Sequence, residues 1–78
     1  MGAVEVETKI RDILRRVARL DGDYAAGADL FRDLGVRSIA ALDLLLTIEE
    51  EFGVTIADAA FGEARSVSAL VQLVEGLR

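Results

Sequence analysis

A chain of 78 residues, 53% of them hydrophobic, fits one domain spanning residues 1–78, and a domain this small must place most of its apolar side chains in a single core. Fourteen acidic residues against nine basic give a net charge of −5 and a pI near 4.5, which disfavours nucleic acid or an anionic membrane as partner and favours a basic protein surface. The absence of Cys and His removes disulfides, thiolate nucleophiles, imidazole bases and nearly all zinc chemistry, so neither an enzyme nor a metal site is expected.

Val6, Ile10, Ile13, Leu14, Val17 and Leu20 recur at three- and four-residue steps and predict a first helix over residues 4–20. Lys9, Arg11, Asp12, Arg15, Arg16 and Arg19 fill its other face. Asp21-Gly22-Asp23 ends the pattern with turn formers. Periodicity lapses over residues 21–37, a long connection for a small bundle. Within it Leu30, Phe31 and Leu34 keep core-like spacing, so the connection is expected to be pinned on the bundle by a short turn over residues 29–33.

The second helix is predicted over residues 38–52, with Ser38 as N-cap and Gly53 as its stop. A short third helix is placed at residues 58–62. The last is capped by Ser66 and carries the stripe Val67, Leu70, Val71, Val74 and Leu77. No strand alternation and no repeat appears. The expected fold is all-α, a small bundle of three main helices plus a short third. No apolar stretch approaches the ~20 residues that cross a bilayer. Residues 1–7 are acidic and lack the basic start of a signal peptide, so a cytoplasmic monomer is expected.

The second helix carries two stripes. Ala41, Leu44, Leu45, Ile48 and Phe52 are wholly apolar and suffice to dock it on the core. Ile39, Leu42, Asp43, Leu46 and Glu50 form an offset stripe with Glu49 beside it. If the first faces inward, the second is exposed, an apolar strip rimmed by carboxylates that suits docking onto a basic partner. The competing reading buries Leu42 and Leu46 as well. Glu49, Glu50 and Glu51 diverge by about 100° per residue on a helix, so they read as a solvated or partner-facing run rather than a metal cluster. The arginines of the first helix are diluted by Glu5, Glu7 and Asp12 and read as solvated surface.

The run Asp29-Leu30-Phe31-Arg32-Asp33-Leu34-Gly35-Val36-Arg37-Ser38-Ile39, followed by Ile48-Glu49-Glu50-Glu51-Phe52-Gly53-Val54-Thr55-Ile56, resembles the acyl and peptidyl carrier protein family. That family shows an acidic-Leu-aromatic lead, Leu-Gly-x-Asp-Ser-Leu, Leu-Glu-Glu-x-Phe, and an Ile before a short third helix. The likeness covers nearly the whole chain. It implies that a phosphopantetheinyl transferase attaches 4'-phosphopantetheine from coenzyme A to Ser38. It also implies that the arm's thiol carries an acyl group (fatty, polyketide or aminoacyl) as a thioester. Loading ligases and downstream acyl-processing enzymes are the implied partners. A helix N-terminus suits the phosphodiester, because its free N–H groups and dipole favour negative charge.

Three positions depart from the family pattern. Arg37 stands where Asp is usual before the serine, Ala40 where fatty-acid carriers often have an acid, and Ala57 where Pro is common. Arg37 is read either as solvated or as a contact for the phosphate or an acidic partner patch. The departures weigh against taking a housekeeping role in fatty acid biosynthesis for granted and leave a specialised carrier at least as open. The residues expected to meet partners are therefore Arg37, Ile39, Leu42, Asp43, Leu46, Glu49 and Glu50. Ala41, Leu45, Ile56 and Ala64 would permit, without requiring, a sequestered acyl chain. The alternative of another class is an unmodified interaction module with the same fold.

Overall fold

The computed structural model describes residues 2–78, leaving Met1 of the acidic N-terminal stretch outside. Its helices are α1 (Ala3–Val17), α2 (Ala41–Phe52), α3 (Asp58–Glu63) and α4 (Val67–Leu77), with a 3₁₀ turn at Ser38–Ala40 leading into α2. There is no strand among the described residues, and the architecture is the expected all-α bundle with a short third helix. Helix α1 packs against both α4 and α2, while α3 leans on α4. The core takes Val6, Ile10, Ile13 and Leu14 from α1, Leu44, Leu45 and Ile48 from α2, and Val67, Leu70, Val71 and Val74 from α4. Each large aliphatic side chain buried there stabilises the fold by about 1.5–3 kcal/mol. Leu77 ends the α4 stripe outside the core, 46% exposed.

Helix α1 stops three residues before its expected end. Arg19 adopts φ 55°, the one left-handed non-glycine among the described residues. That backbone costs an L-residue about 1–2 kcal/mol. It turns the chain so that the N–H of Leu20 reaches back 3.2 Å to the Leu14 carbonyl, which also accepts from Ala18 at 2.9 Å. Leu20 is thereby brought onto the core as a packed residue beyond the helix.

The long connection is pinned as its apolar spacing suggests. Leu30 is fully buried, and Phe31 and Leu34 pack against the core. Asp29 begins a helical turn: its Oδ1 accepts the N–H groups of Phe31 at 2.9 Å and Arg32 at 2.8 Å. Its carbonyl accepts those of Asp33 and Leu34. Gly35, at φ 73°, ends the turn in a conformation that needs no Cβ penalty. Two backbone bonds then fasten the connection to the start of α4: Leu30 N–H to the Arg65 carbonyl at 2.7 Å and Ser68 N–H to the Ala26 carbonyl at 2.9 Å.

Helix α4 begins as expected, with the Ser66 hydroxyl accepting the Ala69 N–H at 3.1 Å. Helix α2 ends on Gly53 at φ 64°, where the Glu49 carbonyl accepts the N–H groups of Gly53 and Val54. The start of α2 differs from expectation. Ser38 is the first residue of the 3₁₀ turn, Arg37 occupies the capping position in extended backbone, and no side chain caps this end. The helical hydrogen bonds begin at the Arg37 carbonyl, which accepts the Ala40 N–H at 3.0 Å, so the serine lies inside the turn and its hydroxyl is not consumed as a cap.

Candidate functional site

Ser38 is exposed and its hydroxyl makes no hydrogen bond within the described chain. Beside it opens a cleft of about 370 Å³ lined by Phe31, Ser38, Ala41, Phe61, Gly62 and Arg65. Two aromatic rings and Ala41 make its walls largely apolar. Of the side chains expected to permit acyl sequestration, Ala41 alone lines this cleft; Leu45, Ile56 and Ala64 are core residues. Phe61 comes from α3 and Arg65 from the turn after it.

Arg65 is a built element of the cleft. Its Nε donates to Asp29 Oδ2 at 2.8 Å and a terminal nitrogen donates to Oδ1 at 3.2 Å. Its guanidinium lies over the Phe31 ring, 5.0 Å from the centroid. The hydrogen bonds from Arg65, then the backbone N–H of Arg32, hold the Asp29 carboxyl well below the ordinary carboxylate range, at about 2. One carboxylate thus caps the turn before Ser38 and clamps it to the α3–α4 junction. The cleft wall is fixed in place, and its cation is already neutralised.

Residues expected on the docking strip divide in the structure. Ile39, Leu42 and Leu46 are 83%, 64% and 53% exposed, while Leu44, Leu45 and Ile48 are buried. The two stripes therefore face opposite ways, and the reading that buried Leu42 and Leu46 does not hold. Asp43 and Glu50 are exposed beside them. Glu49 is placed differently: half-buried, its Oε2 accepts the Ile56 N–H at 2.7 Å. Its carboxylate fastens the α2–α3 connection instead of rimming the strip. Glu51 lies 3.8 Å from the Lys9 amine, so the three glutamates diverge as helical geometry requires.

Arg37 is exposed, with no ion pair among the described residues. It lines a groove on the α1 side, away from the Ser38 cleft, together with Arg19, Ile39, Ala40 and Asp43. The arginines of α1 pair along the helix, Arg11 with Glu7 at 2.9 Å and both Arg15 and Arg16 with Asp12. The sequence pattern contained no signal for Arg19 or Arg65 at these surfaces, since chain folding alone brings them there.

Residues 8–74 match the family described as a phosphopantetheine attachment site. An acyl carrier protein of Sinorhizobium fredii is 33% identical over 72 residues, covering 82% of this chain and 92% of that one. This chain belongs to the acyl carrier protein family. The chloroplastic acyl carrier protein 5 of Arabidopsis thaliana is 32% identical over 96% of this chain, which spans 56% of that relative's length. Among solved structures, one assigned as an acyl carrier protein from Mycobacterium tuberculosis superposes with a TM-score of 0.82 at 25% identity, covering 91% of this chain and 96% of that chain.

Acyl carrier proteins are carriers rather than enzymes, and the family's cofactor is covalently attached 4'-phosphopantetheine. The chain around Ser38 fits such a group: an uncommitted, exposed hydroxyl at the start of a helical segment, next to an apolar cleft. A carrier must meet the enzymes that modify and load it. No helix among the described residues is long and apolar enough to cross a membrane. The relatives include chloroplastic and mitochondrial forms.

Proposed function

We propose that Ser38 is the attachment residue and that this carrier, a single domain over residues 1–78, presents acyl intermediates to partner enzymes through the exposed face of α2. The observation that carries the proposal is the setting of Ser38, whose hydroxyl is exposed and unbonded at the opening of the helical segment. The fixed wall of Phe31 and Arg65 beside it leaves a transferase an open approach. When attached, the prosthetic group supplies the thiol that the polypeptide lacks, and with it thioester chemistry. Ser38 would hold the phosphodiester, and the N–H groups of Ser38 and Ile39, which precede the first hydrogen-bonded donor of the turn, Ala40, favour its negative charge. Phe31, Phe61 and Ala41 offer apolar contact to whatever lies alongside.

Ile39, Leu42 and Leu46 would supply the apolar contact to partners, with Asp43 and Glu50 steering a basic surface. Arg37 marks the carrier as specialised, its partners being a phosphopantetheinyl transferase, a loading ligase for fatty, polyketide or aminoacyl cargo, and the enzymes that process it. A cytoplasmic monomer belongs to the same proposal. Incubating the protein with a broad-specificity transferase and a fluorescent coenzyme A analogue tests it. Wild type takes up one label and Ser38→Ala takes up none. Absence of label on wild type with several transferases would leave an unmodified interaction module.

A further inference from the structure

Nine cations are present in this chain, and their pairing is uneven. Lys9, Arg11, Arg15, Arg16, Arg32 and Arg65 each have a carboxylate partner. Arg78 is engaged as well. Arg19 and Arg37 alone have no anionic partner among the described residues, and both line the same groove of about 320 Å³ between the end of α1 and the 3₁₀ turn. The left-handed backbone of Arg19 lets the chain turn at this point. The groove has one carboxylate, Asp43, and its rim carries Ile39, the most exposed large hydrophobic residue among those described.

We infer that this groove receives an acidic segment of a partner protein, whose carboxylates pair with Arg19 and Arg37 while an apolar side chain covers Ile39. Charge complementarity commits the occupant: two uncompensated guanidinium groups in a protein of net charge −5 select an anion that approaches with apolar surface beside it. The occupant is not the prosthetic phosphate, because Ser38 opens onto the other cleft with Phe31 and Phe61. The extended backbone at Arg37 sends neighbouring side chains to opposite sides. Asp43 lines the groove beside the two guanidinium groups and Glu50 lies farther along α2, so the partner surface carries both signs, acids against Arg19 and Arg37 and bases against the two carboxylates. Such a two-signed pattern fixes the orientation of the carrier on its partner and rejects surfaces that are basic throughout.

The inference rests on the carrier reading for its biological sense, but its test uses unmodified protein, so the two fail separately. Two short amphipathic helical peptides with one apolar pattern, flanked by Glu in one and Lys in the other, are titrated into the ¹⁵N-labelled chain. The Glu peptide shifts the amides of Arg19, Arg37, Ile39 and Ala40, with an affinity that falls as salt rises. The double variant Arg19→Glu/Arg37→Glu weakens it about tenfold and takes up the Lys peptide at the same amides. Arg19→Gly, which relieves the left-handed strain and therefore keeps the fold, also weakens the Glu peptide. Equal response to both peptides, preference of wild type for the Lys peptide, or shifts centred on Phe31 and Phe61 would overturn the inference. So would concentration-dependent shifts of the groove amides without peptide, which would make a second copy the occupant.

Discussion

Glu49→Ala separates a fastening role from a docking role. The Glu49 carboxylate accepts the Ile56 N–H at 2.7 Å, and Ile56 is 4% exposed, so truncation leaves a buried donor without its charged acceptor. A hydrogen bond to a charged group of this kind contributes about 1.5–3 kcal/mol. A domain of 78 residues has roughly 4–12 kcal/mol in total, so the loss is a substantial fraction. The Tm should fall by roughly 4–8 °C for each kcal/mol lost. Urea denaturation followed by circular dichroism reads the change as a lower midpoint at constant slope. Glu49→Gln keeps an acceptor without its charge and should fall between the two, because charge-assisted bonds are about twice as strong as neutral ones. Glu50→Ala is the control, exposed and expected within about 0.5 kcal/mol of wild type. If Glu49→Ala and Glu50→Ala melt together, the Ile56 bond contributes nothing and Glu49 returns to the docking strip.

Further outcomes follow from the same geometry. The Asp29 carboxyl titrates at about 2 in the folded chain against an ordinary 3.8, so the stability it contributes is fully present above the ordinary value and is lost as pH falls through about 2. Asp29→Asn should therefore flatten the dependence of Tm on pH in that acid window, and identical slopes would remove the Arg65 clamp from the account. Leu44→Ala, at a position 1% exposed, should cost about 2–5 kcal/mol. Leu42→Ala, at 64% exposed, should stay within about 0.5 kcal/mol while slowing modification of Ser38. Chemical denaturation and a transferase time course distinguish them, and a large stability loss in Leu42→Ala would mean the strip is part of the core.

Features with a local origin could be read from the chain. The 3.6-residue stripes placed α1, α2 and α4, whereas the short α3 offered no stripe of its own, and apolar spacing divided α2 into two stripes without settling the burial of Leu42 and Leu46. Leu30 kept its core spacing inside an irregular segment and is buried. Legibility failed where backbone geometry or long-range pairing decides. Arg19 ends α1 in a conformation usually given to glycine, so nothing in its side chain announces the stop. Ser38 has the composition of a cap, yet the 3₁₀ turn closes one residue earlier than a simple α-helical start and gives the cap position to Arg37. Asp29 and Arg65 are 36 residues apart, and only the packed bundle joins them. Glu49 lies between the inward and outward stripes of α2, where a long side chain can turn either way; the unsatisfied N–H of Ile56 draws it in.

The setting of Ser38 is the centre of the account, and one mass measurement tests it. Wild type and Ser38→Ala are each co-expressed with a broad-specificity phosphopantetheinyl transferase, and the intact masses are compared. Because the Ser38 hydroxyl makes no bond within the described chain, the variant should fold as wild type does and serve as a clean control. The account predicts that wild type gains the mass of one phosphopantetheine, mapped to the peptide containing Ser38, and that the variant gains none. A folded wild type that remains unmodified, or a Ser38→Ala variant that still gains the group, would contradict it.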